Sequence, residues 1–201
     1  MKKLLLATTN KGKLAELQSL LADLAIEILT PDEIGLNLSV EEDGTTYAEN
    51  ASKKALAFAR ASGWIALADD TGLEVAALEG APGLRSARYH PRPGATDAER
   101  RAYLLENLRQ SHAPRPWQAR FYAVVALATP EGVVYTAEGE CRGEILPEER
   151  GSNGFGYDPI FLLSEVGHTM AELTMEEKNR LSHRARAVEA IKPVLLKMIA
   201  E

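Results

Sequence analysis

One cysteine in 201 residues, Cys141, excludes an internal disulfide and a thiolate-based metal site. No activating signature surrounds it, so it reads as a small residue in a strand, and such sparse usage fits a reducing compartment. Long apolar runs are missing as well. Leu4-Leu5-Leu6-Ala7 stops at Thr8-Thr9-Asn10-Lys11, short of a signal-peptide core, and no stretch approaches the ~20 apolar residues that span a bilayer. A cytoplasmic location with no membrane partner is expected. Excess positive charge is also lacking: a formal net charge of -6 gives no long-range pull toward nucleic acid. His90, His112 and His168 have no partners at metal-ligand spacing, and there is no internal repeat.

What is present suits one large domain, or one domain with an inserted lobe: 45% hydrophobic and 26% charged residues can build a core and a solvated surface. Leu4 to Ala7 reads as a buried strand, followed by a polar loop and a helix with Leu14, Leu17, Leu20, Leu21 and Leu24 on one face. Ile26 to Leu29 reads as a second strand. Thr46/Glu49, Thr96/Glu99 and Thr174/Glu177 have capping-box spacing, in which a hydroxyl and a carboxylate satisfy the end amides of a helix. They predict helices to about Ala61 and Leu108 and a short turn near Glu177. A last helix is predicted from about Arg180 to Ile199, with Pro193 as a kink. Ile65 to Ala68 and Leu73 to Ala77 read as strands around a polar turn, and Ala119 to Ala128 with Val133 to Gly143 as a hairpin. The class is α/β.

Polar residues gather at the ends of these elements. Thr8-Thr9-Asn10-Lys11-Gly12-Lys13 joins strand one to helix one, where amides, hydroxyls and lysines suit a phosphate; an ordinary capped loop fits the segment equally well. It is not a P-loop, which needs Gly where Ala7 stands and Ser or Thr where Leu14 stands. Glu41-Glu42-Asp43-Gly44 leads into the helix carrying Glu49, Asn50, Lys53 and Lys54. Asp69-Asp70-Thr71-Gly72 puts paired carboxylates at a strand end, which suits Mg²⁺. Ser152-Asn153-Gly154-Phe155-Gly156-Tyr157-Asp158-Pro159 interleaves glycines with aromatics able to stack on a base. Lys178-Asn179 and Ser182-His183-Arg184 supply donors. Gly80 to Tyr89 reads as a fixed loop with Arg88 as an anchor for carboxylate or phosphate.

In order and spacing these segments resemble the inosine/xanthosine triphosphate pyrophosphatase family, and the match covers nearly the whole chain. The resemblance implies one domain over residues 1–201, with a long, curved mixed sheet flanked by helices in two lobes and the active site in the groove between them. It implies hydrolysis of non-standard purine nucleoside triphosphates (ITP, dITP, XTP) to monophosphate and pyrophosphate by a Mg²⁺-dependent homodimer. Carried over, Thr8, Thr9, Asn10, Lys11, Gly12 and Lys13 would cradle the triphosphate. Glu41 and Asp70 would hold the metal, although Glu42 adjoins the first and Glu49 could join or merely cap. Asp70 would also take the water's proton. Thr71, Lys178 and Lys54 would touch phosphate, and Phe155, Gly156, Tyr157, Asp158, His183 and Arg184 would hold the base. Arg184→Ala is accordingly expected to harm base discrimination more than folding. Thr9 and Thr71 stand where many relatives carry Gly and Ser. The nearest rival reading is a related pyrophosphatase acting on pyrimidine or modified nucleotides; a nucleotide sensor without catalysis is a further one, and adjacent Asp69 and Asp70 argue against it, because carboxylates repel phosphate unless a metal intervenes.

Overall fold

The structure, a computed structural model, describes residues 2–200. It is a mixed α/β fold, as the sequence predicts. The chain divides into two compact units, each with a core of its own.

The first unit comprises Met1–Asp70, Ala123–Gly139 and His183–Glu201. Strand β1 (Lys3–Leu6) pairs in parallel with β2 (Glu27–Leu29) and with β3 (Ile65–Val75), placing Leu4 opposite Ile28 and Leu5 opposite Ala66. Parallel pairing needs crossovers, and α1 (Lys11–Leu20) and α2 (Tyr47–Ser62) lie on them. The last helix, α5 (His183–Ala200), carries Pro193 inside it. Leu4, Leu6, Leu17, Leu21, Leu67, Val125, Val188 and Ile191 form the core. Each such buried aliphatic side chain contributes about 1.5–3 kcal/mol over exposure.

The second unit comprises Thr71–Tyr122 and Glu140–Ser182. It holds β4 (Pro82–Gly83), α3 (Asp97–Gln110), β7 (Phe161–Leu163), β8 (His168–Thr169) and α4 (Met175–Leu181). It also takes one end of β3 and of two long strands, β5 (Trp117–Ala128) and β6 (Val134–Ile145). Its core gathers Leu73, Leu104, Leu108, Trp117, Phe121, Phe161 and Met170, with Phe121 and Phe161 tilted 4.6 Å apart between ring centroids. Cys141 is buried here in β6, the small strand residue that the sequence predicts. Among the described residues the strands follow the path β2-β1-β3-β5-β6-β7-β8, with β4 beside β3.

All three capping boxes form as spaced, on α2, α3 and α4. The hairpin also forms, closed by a hydrogen bond from the Thr129 amide to the Val133 carbonyl. Two expectations are corrected. Glu177 lies in a seven-residue helix, and Ser182, in extended backbone, separates it from α5. More consequentially, Asp69-Asp70-Thr71-Gly72 is no turn: β3 runs unbroken from Ile65 to Val75 and carries both carboxylates within the strand. Turn chemistry in the sequence is overridden because cations and an amide from other elements of the first unit compensate the buried charges.

Candidate active site

In the first unit β1 delivers the chain to Thr8, whose hydroxyl accepts from the Asn10 amide at 3.2 Å. Asn10 caps α1, its side chain accepting from the Lys13 amide at 3.1 Å. Thr9, Asn10 and Lys11 are exposed, so a capped, positive helix end faces solvent with a lysine on it. Lys13 leans the other way. Its ammonium lies 3.2 Å from Asp69 Oδ2; burial pushes its pKa below the usual lysine range, Asp69 partly restores it, and Lys54 and Arg184 lower it again.

Asp69 and Asp70 are both buried on β3. Successive strand residues face opposite sides, so the two acids meet different partners. Asp69 is held by Arg184, whose Nε donates to Oδ2 at 3.0 Å, while Arg184 Nη1 reaches Glu16 on α1. Burial opposes the Arg184 charge, and Asp69 and Glu16 more than offset it, so its pKa lies above the ordinary arginine value. Asp70 accepts from Asn50 Nδ2 at 3.0 Å. Burial raises the Asp70 carboxyl above the usual carboxylate range; the Asn50 bond and Lys13 pull it down, and Glu42 pushes it further up.

Asn50 is itself oriented from the acidic loop, its Oδ1 accepting from the Gly44 amide at 2.8 Å. A Cβ on Gly44 would sit 2.6 Å from that oxygen, so only glycine lets the loop approach α2 this closely. The path turns Glu42 toward the site: it pairs with Lys54 at 2.5 Å, and its charge acts on Asp70. Glu41 is exposed, and Glu49 is spent on the α2 capping box, accepting from the Thr45 and Thr46 amides.

The first unit thus assembles four carboxylates (Glu16, Glu42, Asp69, Asp70) with three cations (Lys13, Lys54, Arg184). The excess of negative charge, beside an oxygen-only donor set, fits a hard divalent cation. Among the described residues no three or more His, Cys, Asp or Glu side chains are placed to hold a metal. Mg²⁺ does not require them, since one or two carboxylates serve when water and phosphate fill the remaining positions. His183 is buried at the start of α5, where Gly139 on β6 admits the helix: a Cβ there would sit 2.3 Å from the His183 carbonyl oxygen.

The second unit holds Thr71, Lys178 and the glycine loop. Gly154 and Gly156 have φ of 74° and 62°, which favour glycine. Asp158 Oδ2 accepts from the Phe155 amide at 2.9 Å and from Lys178 Nζ at 2.5 Å. The Lys178 ammonium also lies 5.2 Å from the centre of the Phe155 ring. Lys178, expected at phosphate, therefore belongs structurally with Phe155 and Asp158. Tyr157 is anchored by its hydroxyl, which donates to the Ser86 carbonyl at 2.9 Å, and its burial raises its pKa strongly. Ser86 Oγ in turn accepts from the Leu73 amide at 2.9 Å and donates to the Gly83 carbonyl.

The Ham1 family pattern matches residues 4–194. The chain belongs to the Ham1 family. It is 48% identical over 195 residues to a dITP/XTP pyrophosphatase of Desulforamulus reducens, covering 96% of this chain and 95% of that one. It is 49% identical over 189 residues to one from Thermus thermophilus, covering 94% of this chain and 89% of that one. A solved HAM1 protein from Coxiella burnetii superposes with a TM-score of 0.87 at 43% identity, over 98% of this chain and all of that one. Within this family member, sequence reasoning missed Glu16, which lies beside Leu17 and four residues before Leu20 and is buried like them. A carboxylate on the apolar face of α1 was the available signal.

Proposed function

We propose that this protein hydrolyses inosine, deoxyinosine and xanthosine triphosphates to the monophosphate and pyrophosphate, with Mg²⁺, and so clears them from the nucleotide pool. The reading is carried by the buried Asp70 carboxylate, fixed by Asn50 among Lys13, Lys54 and Glu42. It is supported by the dITP/XTP pyrophosphatase names of relatives that match nearly end to end.

Asp70 is assigned to the metal with Glu41 or the adjacent Glu42, and the charge that Glu42 exerts on Asp70 favours Glu42 as the second ligand. The ion, when bound, neutralises phosphate charge and eases deprotonation of water. Thr8 to Lys13 bind phosphate oxygens through the capped start of α1, joined by Thr71. Asp70, oriented by the Asn50 amide, accepts the proton of the water that attacks the α-phosphorus. Lys13 and Lys54 offset charge growing on the departing pyrophosphate. Phe155 stacks on the base, while Gly156, Tyr157, Asp158, Lys178 and His183 fix its edge. Arg184 serves from beneath by holding Asp69 and Glu16.

Base choice follows from polarity. Hypoxanthine and xanthine present an acceptor at position 6 and adenine a donor, so buried donors facing adenine lose about 1–3 kcal/mol, roughly ten- to a hundredfold. We place the enzyme in the cytoplasm as a homodimer; light scattering of the purified protein at twice the chain mass would agree. The functional test is incubation with a nucleotide panel plus Mg²⁺. Pyrophosphate released from inosine and xanthosine triphosphates, and lost with a chelator, is the expected result. Orthophosphate release, or equal turnover of adenosine triphosphate, would overturn it.

A further inference from the structure

We infer that the first turns of α3 clamp the glycine loop, and that Asp97 and Arg101 are positioning residues for recognition of the base. The inference rests on the assignment of Phe155 to Asp158 to the base made above. It goes beyond that assignment by naming what holds the loop in register.

Gly156, with a left-handed φ of 62°, is gripped on both of its peptide planes by α3. Its amide donates to Asp97 Oδ2 at 2.7 Å, and its carbonyl accepts from Arg101 Nη1 at 2.8 Å. Asp97 and Arg101 lie four residues apart on one helix, so both project from the same face, one turn from the other. Arg101 is locked in turn: its Nε and Nη2 donate to the two carboxylate oxygens of Glu149 at 2.8 and 2.9 Å, a bidentate pairing that fixes the plane of the guanidinium.

Neither residue is needed to end the helix. Thr96 and Glu99 complete the capping box of α3 by themselves, so the Asp97 carboxylate at the first helical position is spent on Arg100 and on the loop. The other contacts of the loop do a different job. Asp158 accepting from the Phe155 amide, and the Phe155 carbonyl accepting from the Asp158 amide at 3.2 Å, fold the loop upon itself without tying Gly156 to anything outside it. Gly156 sits between the two aromatics, Phe155 and Tyr157, and its backbone sets where the Phe155 ring stands. Discrimination between purine edges depends on donor positions to within about half an ångström, so a clamp on this residue bears on specificity without touching substrate.

The test uses Asp97→Ala, which removes the acceptor, and Arg101→Lys, which keeps the charge but loses the fork that spans Glu149 and Gly156. KM and kcat are measured for inosine and adenosine triphosphates, alongside inhibition by inorganic tripolyphosphate, a probe with no base. In Asp97→Ala the KM for inosine triphosphate is expected to rise about tenfold and the preference over adenosine triphosphate to fall about tenfold, the scale of one lost charge-assisted hydrogen bond. Both kcat and tripolyphosphate inhibition stay within about threefold, and Arg101→Lys shows the same pattern at smaller size. A folded Asp97→Ala with unchanged preference, or with tripolyphosphate inhibition weakened in parallel, would overturn the clamp; should that variant fail to fold, Arg101→Lys decides on the same readouts. Phe155→Ala, run beside them, separates the two levels. Preference lost there but kept in both clamp variants removes the clamp alone, whereas preference kept in Phe155→Ala removes the base assignment beneath it.

Discussion

Arg184→Ala is expected to cost this protein its fold before it costs it a substrate. The Arg184 side chain is 1% exposed and lies between Glu16 at 3% and Asp69 at 0%. Truncation would take the guanidinium away from two desolvated carboxylates, leaving the Lys13 ammonium 3.2 Å from Asp69. Breaking a buried ion pair from one side costs about 3–5 kcal/mol, and in a chain of this length each kcal/mol moves the melting midpoint about 2–4 °C, so a loss of roughly 6–20 °C follows. Thermal unfolding without nucleotide, compared with the parent protein, measures it. Arg184→Lys restores one charge but not the fork, and should recover only part of the loss. A midpoint within about 2 °C of the parent, joined to a lost inosine preference, would show that the guanidinium serves the base and not the strand.

Asp70→Asn should lower kcat by at least ~100-fold while raising the midpoint of the metal-free protein, because a carboxylate raised by burial is replaced by an amide that can still accept from Asn50; near-normal turnover would remove Asp70 from the chemistry. Glu42→Gln should weaken activation by Mg²⁺ more than Glu41→Gln, read as the metal concentration giving half-maximal rate, and the reverse order would restore Glu41 as the ligand. Gly44→Ala should cut activity at least tenfold by pushing Asn50 from Asp70, since the added carbon meets the Asn50 oxygen at 2.6 Å; full activity would mean that the loop relaxes freely. Folding lowers the pKa of Glu49, Glu99 and Glu177 through their hydrogen bonds to the capping threonines and their neighbours, Glu99 to about 2. Their contributions are present above the ordinary glutamate value of about 4.5 and lost as pH falls below it. Helix content monitored by circular dichroism should thus show a drop between about pH 4.5 and 2 that shrinks in Glu99→Gln.

The capping boxes, the Asn10 cap and the hairpin were legible because each depends on residues a few positions apart, and local rules read local pairs. The acidic pair was misread as a turn for the opposite reason. Asp69-Asp70-Thr71-Gly72 has turn composition, and what keeps it in a strand is Arg184, 115 residues away from Asp69, and Asn50, 20 residues before Asp70. Arg184 in turn meets Glu16 across 168 residues, so no window along the chain shows that its charge is already committed. The resemblance could say that Arg184 belongs to the site but not which way it faces. A similar limit applies to Glu41 and Glu42, which differ by one position and so by side of the chain; the path of their loop depends on Gly44 packing on Asn50, a contact that exists only after folding. Chemistry-bearing residue types are thus readable from sequence, whereas the division between those that meet substrate and those that hold them is set by burial and long-range pairing. Glu16, Asp69 and Arg184 form a buried ion-pair network that also holds Lys13, and Lys13 and the neighbouring Asp70, held by Asn50, are where substitutions should register most in kcat.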